Sequence, residues 1–311
     1  MNRLCRRAAI TCSVVALTGL ASATPVAAKP ATSSAAFTKA WAAVAPTLKG
    51  KLDPKSRNVC NRGDTQCVEI VAGEMTARGA ALAATCDHAA PFVVAYRLET
   101  KQIATIVEST FADPPFLSHL AAVFGKYYFD AYDNWHAGRT NKVPGAWQIA
   151  LDATADRQIY GIGDLLLGMN AHITRDLPYV LEAVGETGPT GQSRKPDFEK
   201  VNDLITAQQE AVVGENARRF DSSIGTFSIP LLDVDENTFA ALIVNWREES
   251  WRNGARLLGA RTPREHAAVA AEIEATANSR AIAIRAATTY LPFIDSTDER
   301  DAYCRQHHND A

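Results

Sequence analysis

Gly161-Ile-Gly-Asp-Leu-Leu-Leu-Gly-Met-Asn-Ala-His-Ile-Thr-Arg-Asp-Leu-Pro178 is the stretch on which the fold class turns. Its spacing is helical. At 3.6 residues per turn Asp164, Gly168, His172, Arg175, Asp176 and Tyr179 share one stripe. Leu166, Met169, Ile173, Leu177 and Val180 share the other face, which reads as core. Asn170 falls on the apolar side, where an amide must find partners or cost stability. Gly161, Gly163 and Gly168 weaken a helix and allow a backbone or a ligand to come close. Pro178 disfavours helical geometry at Leu177, so Asp176 is a candidate N-cap of a following segment.

Helical spacing continues on both sides. Phe37, Trp41, Val44 and Leu48 predict a helix that ends at Gly50. Asp64 is placed to cap a helix carrying Val68, Val71, Met75 and Leu82, and Asp87 precedes another from near Pro91 to Glu108. Asp113-Pro114-Pro115 opens an aromatic-rich helix that runs to His136, with Gly138 beyond it, and Pro144 opens a short helix through Ile149. Residues 185–196 read as loop, and Asp197 as the cap of a helix over 198–220. Two long helices follow, over 239–258 and from Thr262, the second with the capping box Thr262-Pro-Arg-Glu265. Strand-like alternation of useful length is missing. These readings predict an all-α, bundle-like single domain over 29–311, with one irregular, partly extended crossing near 222–232.

The N-terminus sets the expected compartment. Arg3, Arg6 and Arg7 precede an apolar run over 8–20, with small-x-small sites that would be cleaved after Ala23 or Ala28. This predicts a signal peptide over 1–28 and a secreted or extracytoplasmic protein; no later stretch is long and apolar enough to span a bilayer. Of 32 basic residues three arginines leave with the leader, so 29 face 35 acidic ones, a net charge of about −6. Together with the absence of any basic run, this argues against a nucleic-acid partner. Cys60, Cys67, Cys86 and Cys304 remain, an even number, which in an exported chain predicts two disulfides. Cys60–Cys67 would close a short loop containing Gly63, and Cys86–Cys304 would tie an early helix to the tail. His307 and His308 sit in what reads as a frayed terminus.

On the first stripe His172 and Asp176 are candidate ligands of one divalent ion, zinc or similar, with Asp164 as third ligand or orienter of the imidazole. Asp133 is the candidate base, on a helix that also carries His119 and Asp130, and Asn170 is a candidate catalytic amide. The competing reading of Asp130, Asp133 and His119 is an aromatic core face with its carboxylates in water. In Trp246-Arg-Glu-Glu-Ser-Trp-Arg-Asn253 the tryptophans read as core, Glu248 as a partner of Arg252 and Glu249 as a partner of Arg252 or Asn253 on the same helix. GxSxG, P-loop, dinucleotide-binding and HExxH patterns are absent.

Gly168-Met-Asn-Ala-His-Ile-Thr-Arg-Asp-Leu-Pro178, with Tyr127-Tyr-Phe-Asp-Ala-Tyr-Asp133 upstream and Trp246-Arg-Glu-Glu-Ser-Trp-Arg-Asn253 downstream, resembles a bacterial family known as a domain of unknown function. The likeness covers most of the mature chain and implies no particular activity. His172-x-x-x-Asp176 is also loosely similar to the metal-binding pairs of the zinc-dependent phospholipase C and single-strand nuclease superfamily, whose members are secreted and all-helical. The N-terminal tryptophan ligand and a second such pair of that superfamily are absent here, so the likeness implies one metal or none. Two functions stay open: a metal-assisted hydrolase of a phosphoester or lipid-like substrate, and a non-catalytic secreted or envelope-associated protein. The second would bind a small-molecule or lipid-like ligand and use its His/Asp/Asn cluster as a structural network.

Overall fold

Proline and capping side chains decide where several helices begin. The computed structural model describes residues 38–229, 234–235, 238–291 and 296–310; the expected leader and its cleavage positions lie outside them. The first helices are α1 (Lys39–Val44), α2 (Val59–Arg62), α3 (Gln66–Ala84), α4 (Ala90–Thr110) and α5 (Pro114–His136). After α6 (Gly145–Asp156) and α7 (Gly161–Met169), a π-helical segment, Asn170–Asp176, leads without a break into α8 (Leu177–Val184). Then come α9 (Lys195–Arg219), α10 (Phe239–Gly259), α11 (Pro263–Ala287) and α12 (Thr297–His307). The chain is all-α, as its periodicity predicts. The irregular crossing is a 3-10 turn, Ser222–Thr226, followed by β1 (Ser228–Ile229), which pairs antiparallel with β2 (Val234–Asp235).

Asp113 caps α5 by accepting the Phe116 N–H at 3.1 Å, and Thr262 caps α11 by accepting that of Glu265 at 3.2 Å. Glu265 reaches back to the amide of Arg261, one residue before the cap. Other expected boundaries shift. α1 stops at Val44, because Pro46 holds Ala45 in extended backbone. Asp64 pairs with Arg62 instead of capping α3. Asp197 lies inside the first turn of α9 and accepts the backbone N–H groups of Ala112 and Asp113, which fastens α9 to the α4–α5 corner. The tail is not frayed. Ser296 caps α12 by accepting the Glu299 N–H at 3.4 Å, and Arg300, Asp301 and Cys304 are buried.

Both disulfides take the expected pairing, with Cα–Cα separations of 5.0 Å for Cys60–Cys67 and 5.9 Å for Cys86–Cys304. Gly63 in the short loop has φ 81°, and a Cβ there would stand 2.6 Å from the Pro115 carbonyl oxygen, so only glycine fits. His119 is buried between two carbonyls, those of Cys60 and Gly50, each 2.8 Å from a ring nitrogen. It fastens the N-terminal strap to α5.

The continuous run α7–π–α8 sits in the middle, touching α4, α5, α6, α10 and α11. The expected two-faced helix is therefore corrected. Residues 161–168 are buried all round, and so are Asn170, His172 and Asp176, because helices cover the polar stripe as well as the apolar one. Gly168 admits a neighbour, but that neighbour is Phe92: a Cβ on Gly168 would lie 2.5 Å from its Cγ. No described helix is long and apolar enough to cross a membrane.

Candidate functional site

α4 carries Phe92, Tyr96, Glu99, Thr100 and Ile103 at i, i+4, i+7, i+8 and i+11, one continuous face. That face, with α5, α9, α10 and the π-helical segment, encloses an almost wholly apolar cavity of about 110 Å³. Its wall includes Ala121 and Phe124 from α5 and Phe198 and Val201 from α9. On α10 the stripe Phe239, Ile243, Arg247 ends in a cation. Pockets for drug-sized ligands run to roughly 300–1,000 Å³, so this one suits a slim chain or a single ring.

Three enclosed polar atoms on this wall have no protein partner: Tyr96 Oη, Glu99 Oε2 and His172 Nε2. Buried polar atoms are nearly always bonded, so three orphans on one apolar wall stand out. Burial pushes the Glu99 carboxyl up to about 7 against the pull of Arg247, and raises the Tyr96 phenol well above its usual range. Arg247 is 5% exposed, and burial draws it down to about 10.

His172 stacks on Phe124 with ring centroids 3.4 Å apart, and its Nδ1 lies 3.4 Å from Asp176 Oδ2. A carboxylate at Nδ1 places the proton there and leaves Nε2 as an acceptor. Burial outweighs Asp176 and lowers the imidazole below its ordinary range, so it is neutral at pH 7. Asp176 is fully enclosed; Trp147 Nε1 donates to its Oδ2 at 2.8 Å and Arg175 Nη1 to its Oδ1 at 2.9 Å. Arg175 faces the other way, into a larger cleft of about 640 Å³ that Lys49, Lys51 and Lys142 also line. The π-helical segment is thus a wall between cavity and cleft. Such i→i+5 segments occur frequently at functional sites.

The expected ligand set does not assemble around one point. His172 and Asp176 are neighbours, whereas Asp164 accepts a hydrogen bond from Arg300 Nη1 at 2.6 Å and lies 3.7 Å from His88 Nδ1, in a cluster beneath α12. Among the described residues no group of three or more His, Cys, Asp or Glu is placed to hold a metal ion. Asp133 is gripped by both Nη atoms of Arg78, at 2.8 and 3.0 Å, and does not line the cavity. Asp130 pairs with Lys126 on its own helix. Glu248 and Glu249 reach Lys195 and Arg280 on other helices, not Arg252.

Asn170 is also away from the cavity. Its amide is buried and donates to the Ala277 carbonyl of α11 at 2.8 Å, which ties the π-helical segment to α11. Asn170→Ala is expected to cost about 1–3 kcal/mol in urea titration, because it removes a buried hydrogen bond and leaves a small void. A change below about 0.5 kcal/mol would show that this bond does not hold the π-helical segment to α11.

Tyr96, Glu99 and Arg247 are the residues that sequence reading passed over. Their signal is a polar residue in an apolar stripe: Glu99 in step with Phe92, Arg247 in step with Phe239 and Ile243. No curated protein and no solved structure matches this chain. The family comparison is positive. Residues 68–287, which hold every cavity-lining position named above, match one family model, and the chain belongs to DUF5995, a family of unknown function.

Proposed function

We propose that this is an exported protein that binds a slim, largely apolar, lipid-like molecule in the α4–α5–α9–α10 cavity, with the polar end of the ligand among Tyr96, Glu99 and His172. The observation that carries this reading is the convergence of three unpartnered polar atoms on one apolar wall. A ligand group that bonds to them removes the desolvation cost each atom bears alone. The two disulfides fit an extracytoplasmic protein. Metal-assisted hydrolysis draws support from the His172–Asp176 pair alone, so binding is the reading preferred.

The test is calorimetric titration of the protein with 1-octanol. Saturable binding to the native protein is expected, with at least a tenfold loss in Ala121→Phe, whose ring occupies the cavity, while helical circular dichroism stays unchanged. Equal binding by the two proteins would remove the cavity as the site.

A further inference from the structure

Four arginines are buried among the described residues: Arg78, Arg194, Arg247 and Arg300. Three of them meet a carboxylate. Arg78 holds Glu74 and Asp133, Arg194 holds Asp113, and Arg300 holds Asp164. Arg247 does not. Its Nε donates to Asn202 Oδ1 at 2.7 Å and its Nη2 to the Phe198 carbonyl at 3.0 Å, both neutral acceptors. Its guanidinium carbon lies 4.2 Å from the Phe198 ring centroid, and no acidic side chain among the described residues is ion-paired with it. Arg247 also lines the cavity.

We propose that the ligand of this cavity is a slim monocarboxylic acid and that Arg247 supplies its counter-charge. This rests on the reading of the cavity as a binding site. A buried charge is held at a cost unless an opposite charge meets it, and a carboxylate matches the planar guanidinium fork. Glu99 makes no ion pair with Arg247, and burial pushes its carboxyl up to about 7, so near neutral pH part of it is the neutral acid, which can donate a hydrogen bond to an incoming carboxylate. An ammonium head would face a guanidinium, and an alcohol would leave the cation unpaired. A phosphate would bring extra charge and oxygens to a wall with a single cation. The apolar remainder of the cavity takes the tail.

The experiment titrates the full chain at pH 7 with octanoate, 1-octanol and octylamine, three heads on one tail. Octanoate is expected to bind at least tenfold tighter than octanol, and octylamine weakest. Arg247→Gln should bring octanoate down to the octanol level without changing octanol, and Arg247→Lys should keep the preference for the acid. The ranking in the native protein needs no variant, so a misfolded Arg247→Gln leaves the test intact. If octanol or octylamine binds as well as octanoate, the carboxylate inference fails and the cavity reading stands. If the acid preference survives in folded Arg247→Gln, the role of Arg247 fails. If none of the three binds, both readings fail together.

Discussion

Cys86→Ala/Cys304→Ala is expected to lose about 5 kcal/mol of stability, the largest effect of any change considered for this protein. The bridge joins residues 218 apart, and the chain-entropy relation for a loop of that length gives roughly that value at 25 °C. Much of the effect resides in the unfolded chain, which gains freedom when the cross-link is gone. The folded state loses as well: Cys304 is buried on α12, so two alanines leave unfilled space beneath that helix. Urea titration of the oxidised native protein beside the double variant measures it, and a loss below 1 kcal/mol would mean that the bridge constrains little.

Arg300→Met should cost about 3–5 kcal/mol, the range for removing one partner of a buried ion pair. Arg300 Nη1 donates to Asp164 Oδ2 at 2.6 Å, to His88 Nδ1 at 3.0 Å and to the Ile159 carbonyl at 3.1 Å. An arginine N–H facing Nδ1 requires a bare nitrogen there, so His88 is neutral and donates from Nε2 to Asp301 at 3.0 Å. Burial and the Arg300 charge push His88 down to about 4, while burial pushes Asp164 up to about 7 against Arg300. The raised Asp164 binds a proton in the folded state that the unfolded chain releases near pH 4, so its contribution is lost as pH rises from about 4 to 7. The depressed His88 acts in the opposite sense, and its contribution is lost as pH falls from 6.5 to about 4. In the native protein the two trends offset each other over that shared window. Without the guanidinium Asp164 rises further and His88 is less depressed, so the Arg300→Met deficit should be larger at pH 8 than at pH 5. An equal deficit at the two pH values would contradict the assignment.

These two changes act on the same element. Once the disulfide is open, α12 can leave its site locally, and Arg300→Met should then cost less than it does in the bridged protein. This element was also the one hardest to see in advance. Ser296-Thr-Asp-Glu299 is a capping box, but α12 is strongly polar, and its burial comes from Arg300, Asp301 and Cys304 rather than from an apolar stripe. Periodicity finds helices that bury oil. It passes over one held by ion pairs and a covalent link. Where local signals were strong, as at Asp113-Pro114-Pro115 and Thr262-Pro-Arg-Glu265, the helix starts were legible. Cysteine parity together with loop length indicated both bridges.

The site was legible in part. His172 and Asp176 are four residues apart, so local geometry alone brings them together. Asp164 and Asp133 were grouped with them by face and helix, yet Arg300 and Arg78 claim them from far along the chain, and no local pattern reports such partners. The cavity polar groups come from α4, the π-helical segment and α10, and their convergence is a property of packing.

From Asn170 to Asp176 the backbone ladder runs wide, and the Leu177 N–H reaches the carbonyl of His172. Such a ladder holds one residue more than an α-helix would over the same turns. Each α-helical residue advances the azimuth by about 100°, so the segment acts as a phase shift of that size between α7 and α8. A wheel drawn straight through 161–184 therefore aligns side chains that the real helix turns apart. The direction of His172 relative to Asp164 is encoded in residue count as much as in residue identity. Losing one residue from this segment would re-index α8 against α5 and α10 while leaving every remaining side chain chemically intact.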